Sequence, residues 1–476
     1  MEYNRVSELF YEISKVPRGS GNPEGISEFI ASFAMKNGCQ VLKDAECNVF
    51  VSKPASKGYE DYETLVFQAH MDMVCVVDKD VNHDFLTDPI EIEERDGWIY
   101  AKGTTLGADD GLGVAIMMAL IESKEPMGKT EYIFTTDEET NMTGAQNFDC
   151  SLVTGKYIIN LDNEEEGVLI VSSAGISDLR MKLPYSSLGV TEESVNNSYE
   201  IWIDGFKGGH SGMDIINLHL NAVKELDMII KEVRKLPGFK LLELTAGSHM
   251  NAIPKSSGFV FTADSVAGVE DFLKEKEVSM KATEPTAVIR FTEKKETIRT
   301  KVYSEKAYET ISGVIEKAPH GIIKMDDHVE NLPETSMNLA RLVETDDALE
   351  IWCCFRSSKD QAMYDGRDMI ESLAKDAGGE LMSAFFETGW ERNENSRLTP
   401  FIVKCYEDTL KETPKVEGIH AGLECGCWSR NIKDADIVSM GPTLENPHTT
   451  RERALLSSLE KYVSLVDSIV KNADKI

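Results

Sequence analysis

Positive charge is scarce in this sequence of 476 residues, which has 50 lysines and arginines against 82 aspartates and glutamates. The formal net charge is −32. A protein that binds the phosphate backbone of nucleic acids, or an anionic membrane surface, needs a basic face. The composition therefore predicts neither a nucleic-acid partner nor a membrane partner.

Long hydrophobic runs are missing as well. No uninterrupted apolar segment approaches the roughly 20 residues that a membrane-spanning helix needs. Residues Met1 to Ser14 have the spacing of an amphipathic helix and lack the basic segment and apolar core of a signal peptide. We therefore expect a soluble protein of the cytoplasm.

The nine cysteines include no C-x₂-C pair, which is the spacing typical of a structural zinc site. Cys353 and Cys354 are adjacent, and Cys425 and Cys427 are separated by one residue. The simplest interpretation is that the cysteines are small buried hydrophobic residues in a reducing compartment.

The order of apolar patterns indicates an interrupted domain. Up to about Ser173, short apolar strands alternate with helices, which favours an α/β fold with a mostly parallel or mixed sheet. The next segment has strands that alternate apolar and polar residues, with helical spacing at Met213–Leu236 and Asp360–Asp376. The first pattern returns after about Trp390. We predict one α/β domain formed by residues 1–176 and 387–476, with an inserted α+β domain at residues 177–386.

A glycine-rich stretch precedes the most apolar helix of the chain. Gly103 to Gly111 cannot hold a regular element, whereas Val114 to Leu120 is an unbroken apolar run. Asp109 and Asp110 stand between them, where a carboxylate is favoured by the free N–H groups of a helix start. This stretch alone leaves two interpretations open, a helix cap or a metal ligand.

Other metal-binding residue types follow the ends of predicted strands. Because ligands of open α/β sheets collect at the carboxyl ends of strands, we expect these side chains to converge beside Asp109. The residues are His70, Asp72, Glu138, Glu139, Asp162 and His448. Two imidazoles with three or more carboxylates suit Zn²⁺, with Mn²⁺ or Co²⁺ possible, and contain too much nitrogen for Ca²⁺ or Mg²⁺.

Spacing suggests separate roles within this set. His70 and Asp72 point to the same side of an extended backbone, so Asp72 can accept the second ring N–H of His70. Glu138 and Glu139 point opposite ways, so that one can bind metal while the other acts as general base. One divalent ion would leave the three negative charges of Asp109, Glu139 and Asp162 under-neutralised, which favours two metals.

Six motifs together resemble the family of di-zinc aminoacylases, carboxypeptidases and dipeptidases. They are His70-Met-Asp72, Gly107-Ala-Asp-Asp-Gly111, Asp137-Glu-Glu139, Asn160-Leu-Asp162, Gly208-Gly-His-Ser-Gly212 and the late His448. Within this family, three further stretches resemble the bacterial Xaa-His dipeptidase branch: Asn251-Ala-Ile-Pro254, His420 to Gly426 and Asp162 to Gly167. The resemblance runs in order from near Glu8 to the final helix.

The resemblance implies a role for each candidate residue. His70 and Asp162 would bind one zinc, Glu139 and His448 would bind the other, and Asp109 would bridge the two. The peptide bond that follows this bridging aspartate would be cis. Glu138 would be the general base towards a nucleophilic water that bridges the metals, with Asp72 supporting His70. His210 would stabilise the oxyanion, and the substrate-binding residues would be Asn251, Arg356 and His420. From the residues alone, Arg356 could instead be an ordinary surface arginine.

The function implied is a two-metal dipeptidase that hydrolyses unblocked L-dipeptides with broad specificity, Xaa-His included. The resemblance also implies a zinc-peptidase-like catalytic domain, a lid and dimerisation role for the inserted domain, and a homodimer. The alternatives are another amidohydrolase of the family (a tripeptidase, an N-acyl amino acid deacylase or a carboxypeptidase) and a noncatalytic metal-binding paralogue.

Overall fold

The computed structural model describes residues 1–217, 220–294 and 298–476, which form two compact units. Unit 1 comprises Met1–Ser172, Trp390–Gly418 and Glu424–Ile476. Unit 2 comprises Ser173–Gly389 and the short segment Ile419–Leu423, which the sequence pattern does not indicate. The division into a catalytic domain and a lid at residues 176 and 386 stays a prediction.

The helices are short to medium in length. They are α1 Tyr3–Ile13, α2 Glu24–Lys36, α3 Ala108–Glu122, α4 Thr143–Asn147, α5 Tyr185–Leu188, α6 Ala222–Val233, α7 Val269–Met280, α8 Glu305–Lys317, α9 Asp360–Asp376, α10 Leu398–Leu410, α11 Cys425–Asn431 and α12 Leu456–Lys471. Among the described residues, none of these helices combines the length and the apolarity needed to span a bilayer.

The strands form the sheets of both units. They are β1 Gln40–Lys43, β2 Val49–Lys53, β3 Leu65–His70, β4 Ile92–Arg95, β5 Trp98–Ala101, β6 Thr130–Thr135, β7 Tyr157–Asn160, β8 Val168–Ser173, β9 Gly175–Pro184, β10 Thr191–Val195, β11 Ser198–Asp204, β12 Gly209–His210, β13 Lys240–Ala246, β14 Ala252–Ile253, β15 Ser257–Thr262, β16 Val288–Lys294, β17 Ile298–Val302, β18 Gly321–Met325, β19 Pro333–Glu344, β20 Ala348–Ser357, β21 Glu380–Glu387, β22 Lys415–Ile419, β23 Asp436–Ser439, β24 Leu444–Glu445 and β25 Arg453–Leu455.

Unit 1 is built on an eight-stranded sheet with the strand order β1-β2-β6-β3-β7-β23-β8-β22. Strand β3 is parallel to both β6 and β7, whereas β1–β2 and β2–β6 are antiparallel. Every residue of β3 and β6 is buried, as expected for central strands covered on both faces. Helix α3 is buried along nearly its whole length and belongs to the same core. The predicted α/β class with a mixed sheet is confirmed.

Unit 2 contains a nine-stranded sheet with the order β16-β11-β15-β13-β19-β20-β9-β21, in which β18 also pairs with β19. The pairs along this order are antiparallel. Strand β9 alternates buried and half-buried residues, and its buried side chains Leu179, Met181 and Leu183 join a core with residues of α6, α8 and α9. One face of the sheet is therefore covered by helices.

Two predictions from the sequence pattern need correction. The helix expected from Met213 begins only at Ala222, because the Asn221 side chain accepts hydrogen bonds from the N–H groups of Val223 and Lys224 and caps the helix there. Part of the predicted segment, residues 218–219, lies outside the described residues. The polar composition of residues 78–96 also predicts an exposed loop, but this segment contains strand β4, which pairs with β5.

Candidate metal centre and substrate-binding residues

The predicted metal ligands lie at one edge of the unit 1 sheet. His70 is the last residue of β3, while Glu139 follows β6 and Asp162 follows β7. Because β3, β6 and β7 are adjacent and parallel, their carboxyl ends lie side by side. Asp109 stands at the start of α3, where its backbone departs from helical angles and its peptide bond to Asp110 is cis.

Asp109 lies between two pairs of ligand atoms. Its Oδ1 is 3.0 Å from His70 Nε2, which is also 3.6 Å from Asp162 Oδ1. Its Oδ2 is 3.1 Å from His448 Nε2, which is 2.9 Å from Glu139 Oε2. One carboxylate therefore presents one oxygen to each imidazole–carboxylate pair.

These separations fit a pair of tetrahedral metal ions. Bond lengths of about 2.0–2.1 Å around zinc place neighbouring ligand atoms about 3.3 Å apart, close to the four distances above. The ligand atoms of His70, Asp109 and Asp162 all lie within 4.8 Å of one another, as do those of Asp109, Glu139 and His448. The donor set is thus compatible with two ions that share Asp109.

The electrostatics of the site indicate a shortage of positive charge. Burial raises the pKa of Asp162 to about 8, and Asp109 acts in the same direction. Hydrogen bonds to Asp109 and Glu139 raise the pKa of His448 to about 11. Without metal, the site therefore holds protons where cations would bind.

Asp72 connects His70 to the loop that carries the two glutamates. Its Oδ1 is 3.4 Å from His70 Nδ1 and accepts a hydrogen bond from the backbone N–H of Glu138 at 3.1 Å. Its Oδ2 accepts the N–H of Glu139 at 3.4 Å and the hydroxyl of Ser20 at 2.7 Å. Asp72 thus holds the backbone of the two glutamates and lies beside the imidazole of His70.

Glu138 is a half-buried carboxylate of this loop, and its pKa is raised well above the ordinary range. Burial is the main cause, and the carboxylates of Asp162 and Glu139 add to it, while a charged His70 opposes them. A carboxyl group with a raised pKa beside metal ligands suits a general base that must both accept and return a proton.

Two residues that sequence reasoning missed hold the Asp109 loop in place. The Glu452 carboxylate is 3% exposed and accepts the backbone N–H groups of Leu106, Gly107, Ala108 and Asp109 at 2.8, 3.0, 2.7 and 3.4 Å. The buried Arg18 guanidinium donates to the carbonyls of Met71 and Asp72 at 2.9 and 3.0 Å, and also to the carbonyl of Gly107. Neither residue belongs to a motif of recognisable spacing.

A buried polar network lies among the strands that carry the ligands. Glu424 Oε2 accepts hydrogen bonds from Gln68 Nε2 at 2.5 Å and from the Thr135 hydroxyl at 2.7 Å. Gln68 Oε1 accepts from Asn160 Nδ2 at 2.7 Å and from Trp428 Nε1 at 3.1 Å. The network ties β3, β6 and β7 to α11 just before the ligand residues.

His210 belongs to unit 2 and is held as a neutral imidazole. Its Nδ1 accepts the backbone N–H groups of Gly212 and Met213 at 3.3 and 3.2 Å. Burial and the nearby charge of Arg356 lower the pKa of His210 to about 4. Because Nδ1 accepts two N–H groups, the single proton of the neutral ring is placed on Nε2, which can then donate a hydrogen bond but cannot accept one from the Arg356 guanidinium.

Arg356 is not a surface arginine, since it is only 3% exposed. Its Nε donates to the Ser211 hydroxyl at 3.3 Å, and its Nη2 lies 3.4 Å from His210 Nε2. The buried His420 ring lies in the same unit, with its Nε2 2.7 Å from Ser336 Oγ. Unit 2 therefore brings His210, Arg356 and His420 into one cluster. Asn251 is exposed, and its carbonyl accepts the N–H of Ser211 at 2.8 Å.

Comparisons with known proteins give a consistent result. The family model described as peptidase family M20/M25/M40 matches residues 66–472. The cytosol non-specific dipeptidase of Escherichia coli is 30% identical over 98% of this chain and 96% of its own length. The crystal structure of the aminoacylhistidine dipeptidase from Vibrio alginolyticus is similar, with a TM-score of 0.84, 29% identity, and coverage of 99% of this chain and 98% of that one.

A more distant structure is similar in fold alone. It is a tripeptidase from Staphylococcus aureus at 16% identity, with a TM-score of 0.61 and coverage of all of both chains.

Proposed function

Because the chain belongs to peptidase family M20/M25/M40, we propose that it is a metal-dependent dipeptidase that hydrolyses unblocked L-dipeptides with broad specificity, Xaa-His included. The similarity to two dipeptidases over nearly the whole chain supports this substrate class. The observation that carries the proposal is the position of Asp109, whose two oxygens face two separate imidazole–carboxylate pairs. We expect the protein to act in the cytoplasm as a homodimer.

Two divalent ions would be held by residues of unit 1, with zinc as the first candidate and Mn²⁺ or Co²⁺ as alternatives. His70 and Asp162 would hold one ion and Glu139 and His448 the other, with Asp109 shared between them. When bound, the ions supply Lewis acidity towards the scissile amide and the attacking water.

Proton transfer is assigned to Glu138. It takes a proton from the attacking water and returns it to the amine that leaves, a role that typically contributes roughly 10²–10⁴-fold to the rate. Asp72 keeps Glu138 in place through the backbone N–H and keeps His70 in its tautomer.

Substrate positioning is assigned to the unit 2 cluster. The Nε2–H of the neutral His210 donates to the carbonyl oxygen of the scissile bond as negative charge develops there. The Arg356 guanidinium binds the C-terminal carboxylate, for which its planar fork is suited, with His420 and Asn251 as further contacts. In this proposal unit 2 acts as a lid over the substrate.

A substrate panel tests the proposed specificity. The zinc-loaded protein is given free dipeptides, tripeptides and N-acetyl amino acids, and released amino acids are measured. We expect turnover of the dipeptides at a kcat/KM well above that of the other two classes. Turnover of only tripeptides or only N-acetyl amino acids would assign a different amidohydrolase activity.

The variant Glu138→Gln tests the mechanism. It removes the base and leaves the five ligands intact, so we expect it to keep its metal content and to lose at least 10²-fold in kcat. Metal content is measured by atomic emission. A variant with normal kcat would remove Glu138 from the mechanism, and a wild-type protein that binds metal without any turnover would indicate a noncatalytic paralogue.

A further inference from the structure

Four side chains of the unit 2 sheet stand in one row across neighbouring strands. Ser336 on β19 is the register partner of Arg356 on β20, and Arg356 is the register partner of Ile176 on β9. On its other side, Ile176 is the register partner of Glu387, the last residue of β21. Residues in register on adjacent strands point to the same face of a sheet, so the four side chains share one face.

This face is opposite to the one that packs against helices. Leu179 on β9 and Cys353 and Phe355 on β20 lie at an odd number of positions from the row residue of the same strand, so their side chains point to the opposite face. These three side chains belong to the core of unit 2. Arg356 and Glu387 are separated by two strand spacings, which places their Cα atoms on the order of 10 Å apart, with Ile176 between them. The row thus presents a positive group, an apolar floor and an acidic group in that order.

Glu387 is a buried acid without an assigned task. It is 6% exposed, and its Oε1 has no hydrogen-bond partner among the described residues. The segment 419–423 of the same unit packs against it, since a Cβ added to Gly422 would collide with Glu387 Oε1. Burial raises the pKa of Glu387 to about 7, while Arg356 opposes this shift as the charged group that acts on it. A buried carboxyl oxygen without a partner is costly unless a ligand supplies a donor.

We propose that Glu387 is a specificity-determining residue that favours substrates whose C-terminal residue carries a hydrogen-bond donor or positive charge on its side chain. The inference rests on the proposed function, in which Arg356 binds the C-terminal carboxylate. With that carboxylate on Arg356, the side chain of the same residue runs over Ile176 towards Glu387. Lysine and arginine place a donor at the far end of an aliphatic stem, which matches the order of groups in the row, and histidine places a donor on a ring held by one methylene group.

Substrates with an apolar C-terminal residue show why the contact with Glu387 discriminates between dipeptides. A leucine or phenylalanine in the same place covers the Glu387 oxygen without offering a donor, so the buried acceptor stays unsatisfied. A substrate with a donor satisfies the acceptor. The selectivity therefore comes from the penalty on apolar residues as much as from attraction of cationic ones.

The test measures kcat/KM for Ala-His, Ala-Lys and Ala-Leu with the zinc-loaded wild-type enzyme and with Glu387→Gln. The amide of glutamine keeps the shape and removes the charge. We expect the ratio of Ala-Lys to Ala-Leu to fall at least tenfold in the variant, with Ala-Leu itself changed less than threefold. An equal loss for all three dipeptides, or an unchanged ratio, would overturn the inference.

A matched control separates recognition from general electrostatics. Asp178 also lies near Arg356: burial raises the pKa of Asp178, and the charges of Arg180 and Arg356 oppose this shift. Asp178 lies on β9 two residues after Ile176, and its register partners are Cys354 and Phe385. We expect Asp178→Asn to leave the Ala-Lys to Ala-Leu ratio within twofold of the wild type. The same tenfold fall in this control would mean that any acid near Arg356 suffices, and would overturn the assignment to Glu387.

A substrate pair keeps the inference testable if Glu387→Gln does not fold. Ala-Lys and Ala-norleucine are compared on the wild-type enzyme, since norleucine keeps the aliphatic stem and has neither the charge nor a hydrogen-bond donor. We expect at least a tenfold preference for Ala-Lys, and equal rates would overturn the inference. A wild-type protein that cleaves no dipeptide at all would instead contradict the proposed function, so the two failures are distinguishable.

Discussion

The substitution Glu452→Gln tests how the Asp109 loop is held. The wild-type carboxylate accepts four backbone N–H groups, two on each oxygen. Glutamine keeps one oxygen and turns an NH₂ group towards the other two donors. A buried donor left without a partner costs about 1–3 kcal/mol, so two of them cost about 2–6 kcal/mol. The site is 3% exposed, so water relieves little of this cost.

The assay combines denaturant unfolding of the metal-free protein with a zinc titration by calorimetry. We expect Glu452→Gln to lose at least about 2 kcal/mol of unfolding free energy and to bind zinc at least tenfold more weakly, because the displaced loop carries Asp109. Glu445 provides the control, since it pairs with Arg453 at a half-exposed site. Glu445→Gln should cost less than about 1 kcal/mol. A Glu452→Gln protein as stable as this control, with unchanged zinc affinity, would refute the reasoning.

Three further predictions concern the pH dependence of zinc binding, the binding of the substrate's C-terminal carboxylate by Arg356, and the packing around His210 and His420. Below their raised pKa values of about 11 and 8, His448 and Asp162 carry protons that a metal ion must displace. Zinc affinity should therefore rise between pH 6 and pH 8, and binding should release protons. Calorimetric titrations in buffers of different ionisation enthalpy measure the number of released protons, and binding without proton release would contradict the prediction. Arg356→Met should lower kcat/KM for free dipeptides about 10–150-fold, the equivalent of about 1.5–3 kcal/mol, and should affect the corresponding dipeptide amides far less; equal losses would argue against carboxylate binding. In Gly212→Ala the new Cβ would collide with the carbonyl oxygen of His420 and lie 3.1 Å from the His210 ring, so kcat/KM should fall at least tenfold, and wild-type kinetics would show that the cluster tolerates displacement.

Much of the fold of unit 1 can be predicted from the sequence, because short segments already indicate its central helix and strands. The apolar run after Asp109 and the buried strand before His70 each identify a central element by composition alone. Parallel neighbours then bring the residues after those strands to one edge, so the ligands converge although they are far apart in sequence. The helix Asp360–Asp376 was predictable at both ends for the same local reason.

Other features depend on contacts that no short pattern encodes. Glu452 follows His448 by four residues in an irregular loop, and only the fold reveals that its carboxylate meets Leu106–Asp109. The register that aligns Arg356 with Glu387 arises through β9, which precedes both residues by more than 170 positions in the chain. The pattern over Met213–Leu236 predicted too long a helix because apolar spacing continues upstream of the Asn221 cap.

In the proposed two-metal site, the shared position of Asp109 would make the two ions unequal in how tightly they bind. Once their protons have been released, the five ligands would carry three negative charges, so the first divalent cation would be attracted by three net charges and would leave one uncompensated. The second cation meets only that remainder and the repulsion of its neighbour across a single carboxylate. Stepwise loading should thus show a tight association followed by a weaker one, and mild chelation should yield a half-loaded species before the fully stripped protein.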